Sequence, residues 1–290
     1  MVDFHTHSNI SDGELSPELL IKEAMKQGLN AIALTDHDTI KGLESAKKAA
    51  AIEKIHFIPG IEININWSGS KNIPGLGHGG EFHLLGLGIN SPSPGFLSAV
   101  EELTRRREVR NREILERMNE LSIDATWEDL MALSGGHSLG RPHFAAYLIK
   151  QKIVKNMKQA FACYLGTGKP LYVPKEGLKF DEAAALINES GGLPILAHPI
   201  SLYVAWGRLP DLVKKLKEMG LMGLEAWHPI ARHSSCQRLE ALAKSSGLYV
   251  TEGSDYHGSL SPDRRLGYSS KGRKINDALL EAIPELKPQV

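Results

Sequence analysis

Short apolar runs recur along the chain, each followed by a stretch whose hydrophobic positions repeat at helical spacing. Residues 2–7, 31–38, 56–64, 82–89, 193–199, 223–228 and 249–255 read as strands. They are rich in Ile, Leu and Val and lack strict polar alternation, which predicts parallel strands covered outside by helices. Helix signals lie between them. Ser16-Pro17-Glu18 opens a helix that Gly28 closes, and Asp181 opens one that Gly191-Gly192 closes. Residues 209–219 are closed by Gly220, and Ser234 or Ser235 opens a run that ends at Gly247. Such alternation predicts βα units with right-handed crossovers, hence an α/β fold built as a closed or nearly closed barrel.

The series is interrupted once. Between Ile89 and Leu193 lie about a hundred residues, far more than an ordinary connection. The segment begins with the breaker cluster Ser91-Pro92-Ser93-Pro94-Gly95. It then reads as a long helix near 96–121, a capped helix from Thr126, another from Arg141 and a fourth over 154–165. Gly166-Thr167-Gly168-Lys169-Pro170 leads back. Residues 93–175 are therefore expected to form a small helical subdomain inserted into a barrel of residues 1–92 and 176–290. The Gly-rich stretch 68–80 is expected to be a loop at the barrel mouth.

Composition removes several alternatives. Lys plus Arg and Asp plus Glu are both 34 among 290 residues, so the whole-chain field does not favour stable binding to duplex nucleic acid or to an anionic membrane. Hydrophobic residues at 42% and charged residues at 23% suit a soluble chain with a sizeable core. No apolar run approaches the roughly 20 residues that span a bilayer, and the first residues do not resemble a secretion signal. With only Cys163 and Cys236, a disulfide framework is not expected and a cytoplasmic location is. Oligomeric state is not legible.

The twelve histidines are the anomaly. Metal-type side chains fall at the predicted C-terminal strand ends, where barrels build active sites. Strand one ends in His5-Thr6-His7, with Asp12 following. Strand two ends in Asp36-His37-Asp38, strand three carries Glu62 and strand four His83. Strand five ends in His198, strand six holds Glu225 and His228, and strand seven ends in Asp255 with His257 beyond. Side chains two apart on a strand point the same way, so His5 and His7 can share an ion. Imidazole mixed with carboxylate suits Zn²⁺, Mn²⁺ or Fe²⁺. Without an ion, so many polar groups on one face would be costly to bury.

Asp3-Phe4-His5-Thr6-His7-Ser8, with Ser11-Asp12-Gly13, resembles the first motif of the polymerase-and-histidinol-phosphatase (PHP) family. Thr35-Asp36-His37-Asp38-Thr39 resembles its second, Ala197-His198-Pro199 its third and Gly253-Ser254-Asp255-Tyr256-His257 its fourth. The resemblance implies a distorted (β/α)₇ barrel and two or three divalent ions. It places His5, His7, Glu62 and Asp255 on one ion, Glu62, His83 and His198 on a second, and Asp12, His37 and His257 on a third. His78 is a rival for the place of His83. Gly140-Arg141-Pro142-His143-Phe144-Ala145 and Glu225-Ala226-Trp227-His228-Pro229 are similar to the branch of small nucleotide phosphoesterases within that family.

Ions about 3.5–4 Å apart acidify a shared water and neutralise a phosphoryl group. The expected reaction is in-line attack of the resulting hydroxide on a phosphoester. The sharpest expectation is the 3′-phosphate of a nucleoside 3′,5′-bisphosphate, with short 5′-phosphorylated RNA as companion. His228 or His233 is the candidate for acting on the leaving group or holding phosphate, and Asp36 and Asp38 for orienting ligand imidazoles. Arg141 with His143 is the candidate second phosphate contact, against a plain helix cap. Arg105, Arg106, Arg107, Arg110 and Arg112, interspersed with glutamates, are expected to be a solvated ion-paired face. The competing functions are an amidohydrolase-type barrel and a non-catalytic metal-binding regulatory barrel.

Overall fold

A computed structural model describes residues 1–66, 80–134 and 138–288. His78 and nearly all of the expected mouth loop lie outside the described residues. The order is β1 (Val2–Asp3), α1 (Pro17–Lys26), β2 (Ala31–Leu34), α2 (Leu43–Glu53), β3 (His56–Asn64), β4 (His83–Leu87) and then the insertion. The insertion carries α3 (Pro94–Glu120), α4 (Trp127–Leu133), α5 (Arg141–Lys150) and α6 (Met157–Ala160). The barrel resumes with α7 (Phe180–Glu189), β5 (Leu193–Leu196), α8 (Leu209–Glu218), β6 (Gly223–Trp227), α9 (His233–Ser245), β7 (Tyr249–Glu252) and α10 (Ala278–Glu281).

The seven strands pair in chain order. A parallel bridge between Thr6 and Tyr256 brings the two ends of the series together, so the barrel is nearly closed. Along the strands the side chains alternate. Leu84, Leu196 and Leu224 join the helices in one buried cluster. Leu85 and Ile195 join Val2 and Phe4 in another, together with Ile283 and Leu286 of the C-terminal turns.

One expectation is corrected. β4 runs antiparallel to both β3 and β5, while the other pairs are parallel. A parallel neighbour needs a crossover over the sheet, and the described part of the β3–β4 connection contains no helix. His83 is therefore the first residue of its strand, not near a C-terminal end, and the reversal carries it to the same mouth. Most strands are also shorter than expected. The chain leaves the ladder after Asp3, Leu34, Leu196 and Glu252, so most metal-type residues stand on the segments just beyond. There Asp38, His198 and Asp255 adopt φ of 54°, 28° and 50°, a region uncommon for non-glycine residues but more open to Asp and His than to most.

The insertion hangs on α3, whose 27 residues give a rod of about 40 Å. Ser93 caps it, accepting from the Phe96 amide, and a proline stands in its first turn. Phe96, Val100 and Leu103 pack into the barrel-side cluster. Ile114 and Met118 belong to a separate cluster with Leu130, Phe144, Leu148 and Leu165. The expected fourth helix is broken: α6 gives way to a π-helical turn, Phe161–Leu165. Such turns recur near functional sites.

Candidate metal centre

Backbone pairing sets the first two histidines. Thr6 Oγ1 donates to the Ala33 carbonyl at 2.5 Å, the His7 amide to Tyr256 O at 3.0 Å and the Asp255 amide to His5 O at 2.9 Å. Residues 5–7 are thus stretched between two neighbours, with His5 and His7 on one side. Asp36 does not orient an imidazole. It accepts from the Ser8 amide and from both Ser8 and Ser11 hydroxyls at 2.6–2.8 Å, holding the turn that leads to Asp12.

Glu62 lies at the centre, buried. Its Oε1 is 2.8 Å from His83 Nδ1 and 2.9 Å from His198 Nε2. Its Oε2 is 2.9 Å from His37 Nδ1, 3.3 Å from His7 Nε2 and 3.4 Å from His5 Nε2. Asp255 Oδ1 is 3.1 Å from His7 Nε2 and 3.4 Å from His5 Nε2. Asp12 Oδ1 is 3.4 Å from His257 Nε2, and its Oδ2 is 3.8 Å from His37 Nε2. All nine ligand candidates are brought together. His228 joins them in a group with His5 and Glu225, its Nε2 being 3.0 Å from Asp255 Oδ2.

This donor set fits divalent ions. His5 Nε2 and His7 Nε2 face each other at 3.0 Å, and His83 Nδ1 and His198 Nε2 at 3.3 Å. Each such pair can share at most one proton. Among the described residues, His7 Nδ1, Asp12 Oδ1, His37 Nδ1 and Glu62 Oε2 are buried without a well-aligned hydrogen-bond partner, which is costly unless a cation is coordinated. Buried carboxylates and imidazoles aimed at common points are a divalent-metal ligand set.

Charges are strongly coupled. Burial opposes ionisation of Asp12, Glu62 and Asp255, yet the facing imidazoles, with Arg107 at Asp12 and Arg264 at Asp255, hold all three carboxyls well below their usual range. Burial likewise opposes protonation of His7, but Asp255 and Glu62 outweigh it and raise it to about 9. Burial dominates at His37, lowered to about 4, and also lowers His83 and His228.

The cluster forms one wall of a cavity of about 680 Å³ between the barrel mouth and the insertion. Arg107, Arg110, Arg141, Lys175 and Arg264 line it. Arg107 and Arg110 correct the reading of the basic run as wholly solvated. Arg105, Arg106 and Arg112 do pair with glutamates three or four residues away. Arg107 instead turns inward, with Nη1 3.3 Å from Asp38 Oδ2 and Nη2 3.6 Å from Asp12 Oδ2. Asp38 also accepts from the Asn64 amide at 3.0 Å, so its carboxylate anchors Arg107. Gly140 is required beside them, because a Cβ there would meet Asp12 Oδ2 at 2.9 Å.

Arg141 reaches the cavity and pairs with Glu81 at 2.5 Å. His143 is buried, accepts from the Gly140 amide at 3.0 Å and caps its own helix; it is not part of the cavity wall. His233 is also not brought to the cluster. It is the exposed first residue of α9 on the outer layer, its ring edge-on to Trp227 at 4.9 Å. Lys175, Glu81 and Arg264 were missed in the sequence, because charges on irregular segments carry no periodic or motif signal. Lys175 Nζ is 3.3 Å from His83 Nε2, and burial lowers its ammonium to about 8 although Glu81 partly offsets this.

The PHP domain family matches over residues 3–169. A 5′-3′ exoribonuclease from Haemophilus influenzae is 34% identical over 255 residues, covering 88% of this chain and 89% of that one. A 3′,5′-nucleoside bisphosphate phosphatase from Chromobacterium violaceum is 29% identical over 269 residues, covering 92% and 91%. Among solved structures, a Bifidobacterium adolescentis protein described as a metal-dependent phosphoesterase aligns with a TM-score of 0.83 at 26% identity, over 100% of this chain and 97% of its own.

Proposed function

The chain belongs to the PHP domain family and is a metal-dependent phosphoester hydrolase, and from that premise we propose that it removes the 3′-phosphate of nucleoside 3′,5′-bisphosphates, with short 5′-phosphorylated RNA as a companion substrate. The observation that carries this reading is the divided Glu62 carboxylate, one oxygen toward His83 and His198 and the other toward His5, His7 and His37, beneath a cavity lined by five cationic side chains. Divalent ions held by His5, His7, Glu62 and Asp255, by Glu62, His83 and His198, and by Asp12, His37 and His257 would supply Lewis-acid charge and an acidified water.

The chain's own groups do the rest. Arg107, fixed by Asp12, Asp38 and the Leu139 carbonyl, holds a positive charge beside the cluster, where negative charge grows as phosphorus becomes five-coordinate. Arg110, Arg141 and Lys175 offer positive charge further along the cavity, which suits a second phosphate better than a neutral amide or lactone. His228 contacts Asp255 Oδ2 and so serves as a positioning residue.

Purified protein supplied with Mn²⁺ should release inorganic phosphate from 3′,5′-bisphosphoadenosine. Glu62→Gln should slow this by at least about 10²-fold, the scale of one electrostatic group at a transition state. Release from neither the bisphosphate nor 5′-phosphorylated oligoribonucleotides would overturn the reading.

A further inference from the structure

We propose that a second, smaller cavity beside the cluster is a nucleobase subsite, so that the bound nucleotide straddles Arg107. This rests on the nucleotide reading above. The space, about 380 Å³, is walled by Ile10, Thr104, Asn111, Trp127, Met131 and Leu139 among others, within the size range of small-molecule sites. It shares His37 and Arg107 with the larger cavity. Both spaces therefore open onto the cluster at one place. A phosphate held there can send its sugar to either side.

The two sides differ in chemistry. The larger cavity carries Arg110, Arg141, Lys175 and Arg264 in addition to Arg107, a poor host for a neutral ring and a good one for an anion. The smaller one is apolar at Ile10, Trp127, Met131 and Leu139, and its Lys41 and Glu108 carry opposite charges. Trp127 is held by the Arg112 guanidinium stacked 4.4 Å from its ring centroid.

Asn111 supplies the independent sign of a ligand. It is 2% exposed, and its Nδ2 is spent on the Leu139 carbonyl at 2.8 Å. Among the described residues its Oδ1 has no partner. A buried amide oxygen without a donor is unfavourable, and asparagine is a mediocre helix former in the middle of a long helix. Asn111 stands in the cavity wall, and a small side-chain shift would let its amide oxygen accept from a ring N–H or exocyclic amino group bound there. Adenine, cytosine and guanine all carry such donors.

The test is calorimetric titration of Mn²⁺-loaded protein with adenosine 5′-monophosphate and with ribose 5-phosphate. The nucleotide should bind at least about tenfold tighter, within the range that stacking a base contributes. Met131→Trp, which fills the cavity, should bring the two affinities to within about twofold of each other, the nucleotide losing and the sugar phosphate following it little. Equal binding by the parent protein overturns the subsite without need of the variant, as does a preference that survives Met131→Trp. Phosphate release, measured in parallel, bears only on hydrolysis: tight base-dependent binding without turnover would retire the phosphatase reading and keep the subsite.

Discussion

Glu225 Oε1 lies 2.9 Å from His5 Nδ1, while its Oε2 accepts the His198 backbone amide at 2.7 Å. One buried carboxylate thereby fixes which nitrogen of His5 faces Glu62 and Asp255, and also the backbone that carries His198. Burial opposes its ionisation, but His5 and His228 hold it below the ordinary carboxylate range. Carboxylates behind ligand histidines set tautomer and basicity.

Glu225→Gln should therefore retain the fold and lose metal affinity by about 10–100-fold. Competition with a graded chelator, followed by ion analysis of the recovered protein, measures this. Parent-like retention of ions would reduce the Glu225–His5 pair to packing.

The two histidines that the sequence could not separate should behave differently. His228→Ala removes the support of Asp255 and should cut phosphate release by about tenfold or more. His233→Ala loses only an exposed contact with Trp227 and should stay within about twofold, as surface substitutions do. A folded His233→Ala protein with no activity would contradict this division.

Arg141→Ala should raise KM for a nucleoside bisphosphate by about tenfold, the worth of one charge-assisted hydrogen bond. The same change should move KM for a 3′-monophosphate much less. Glu81→Gln, which frees the Arg141 fork from its 2.5 Å partner, should lower KM for the bisphosphate. Equal effects of Arg141→Ala on both substrates would remove it from the second phosphate.

Acid–base linkage gives a separate test away from the cluster. Burial raises Glu252 from its ordinary 4.5 to about 7, even though Ser269 and Arg273 favour its charge. Between those values the folded chain binds more protons than the unfolded chain, so this group's effect on stability declines as pH rises and is least favourable above 7. The cost at pH 8 is at most about 3 kcal/mol. Glu252→Gln carries no charge at any pH, so its melting temperature relative to the parent should climb from pH 5 to pH 8. A difference that stays constant across that range would show that the carboxyl does not change protonation there.

The seven strands and the convergence of the ligand candidates on one mouth were legible because apolar runs, and the imidazoles and acids at their ends, are local signals. The direction of β4 was not, since the run around Leu84–Leu87 reads the same either way and only the connection decides. Arg107 and Arg110 were hidden for a related reason. A charge run reveals its composition, but which members face inward depends on where α3 passes the mouth. Glu225 was visible as a strand-end acid, yet its hold on His5 spans 220 residues and has no local trace. His143 looked like an anion contact because a helix start attracts that reading, while its ring serves the neighbouring Gly140 amide instead.

The reversed strand has a mechanical consequence. Because β4 ends at the floor of the barrel, the excursion that follows must climb the outer wall before it can cover the mouth. It does so as one uninterrupted girder, footed among Phe96, Val100 and Leu103 and carrying Arg107 partway up. The guanidinium over Asp12 is thus indexed to the foundation and not to a swinging arm. Substrate meets a roof already in place, and the entropy of ordering that cation has been spent during folding, before any encounter.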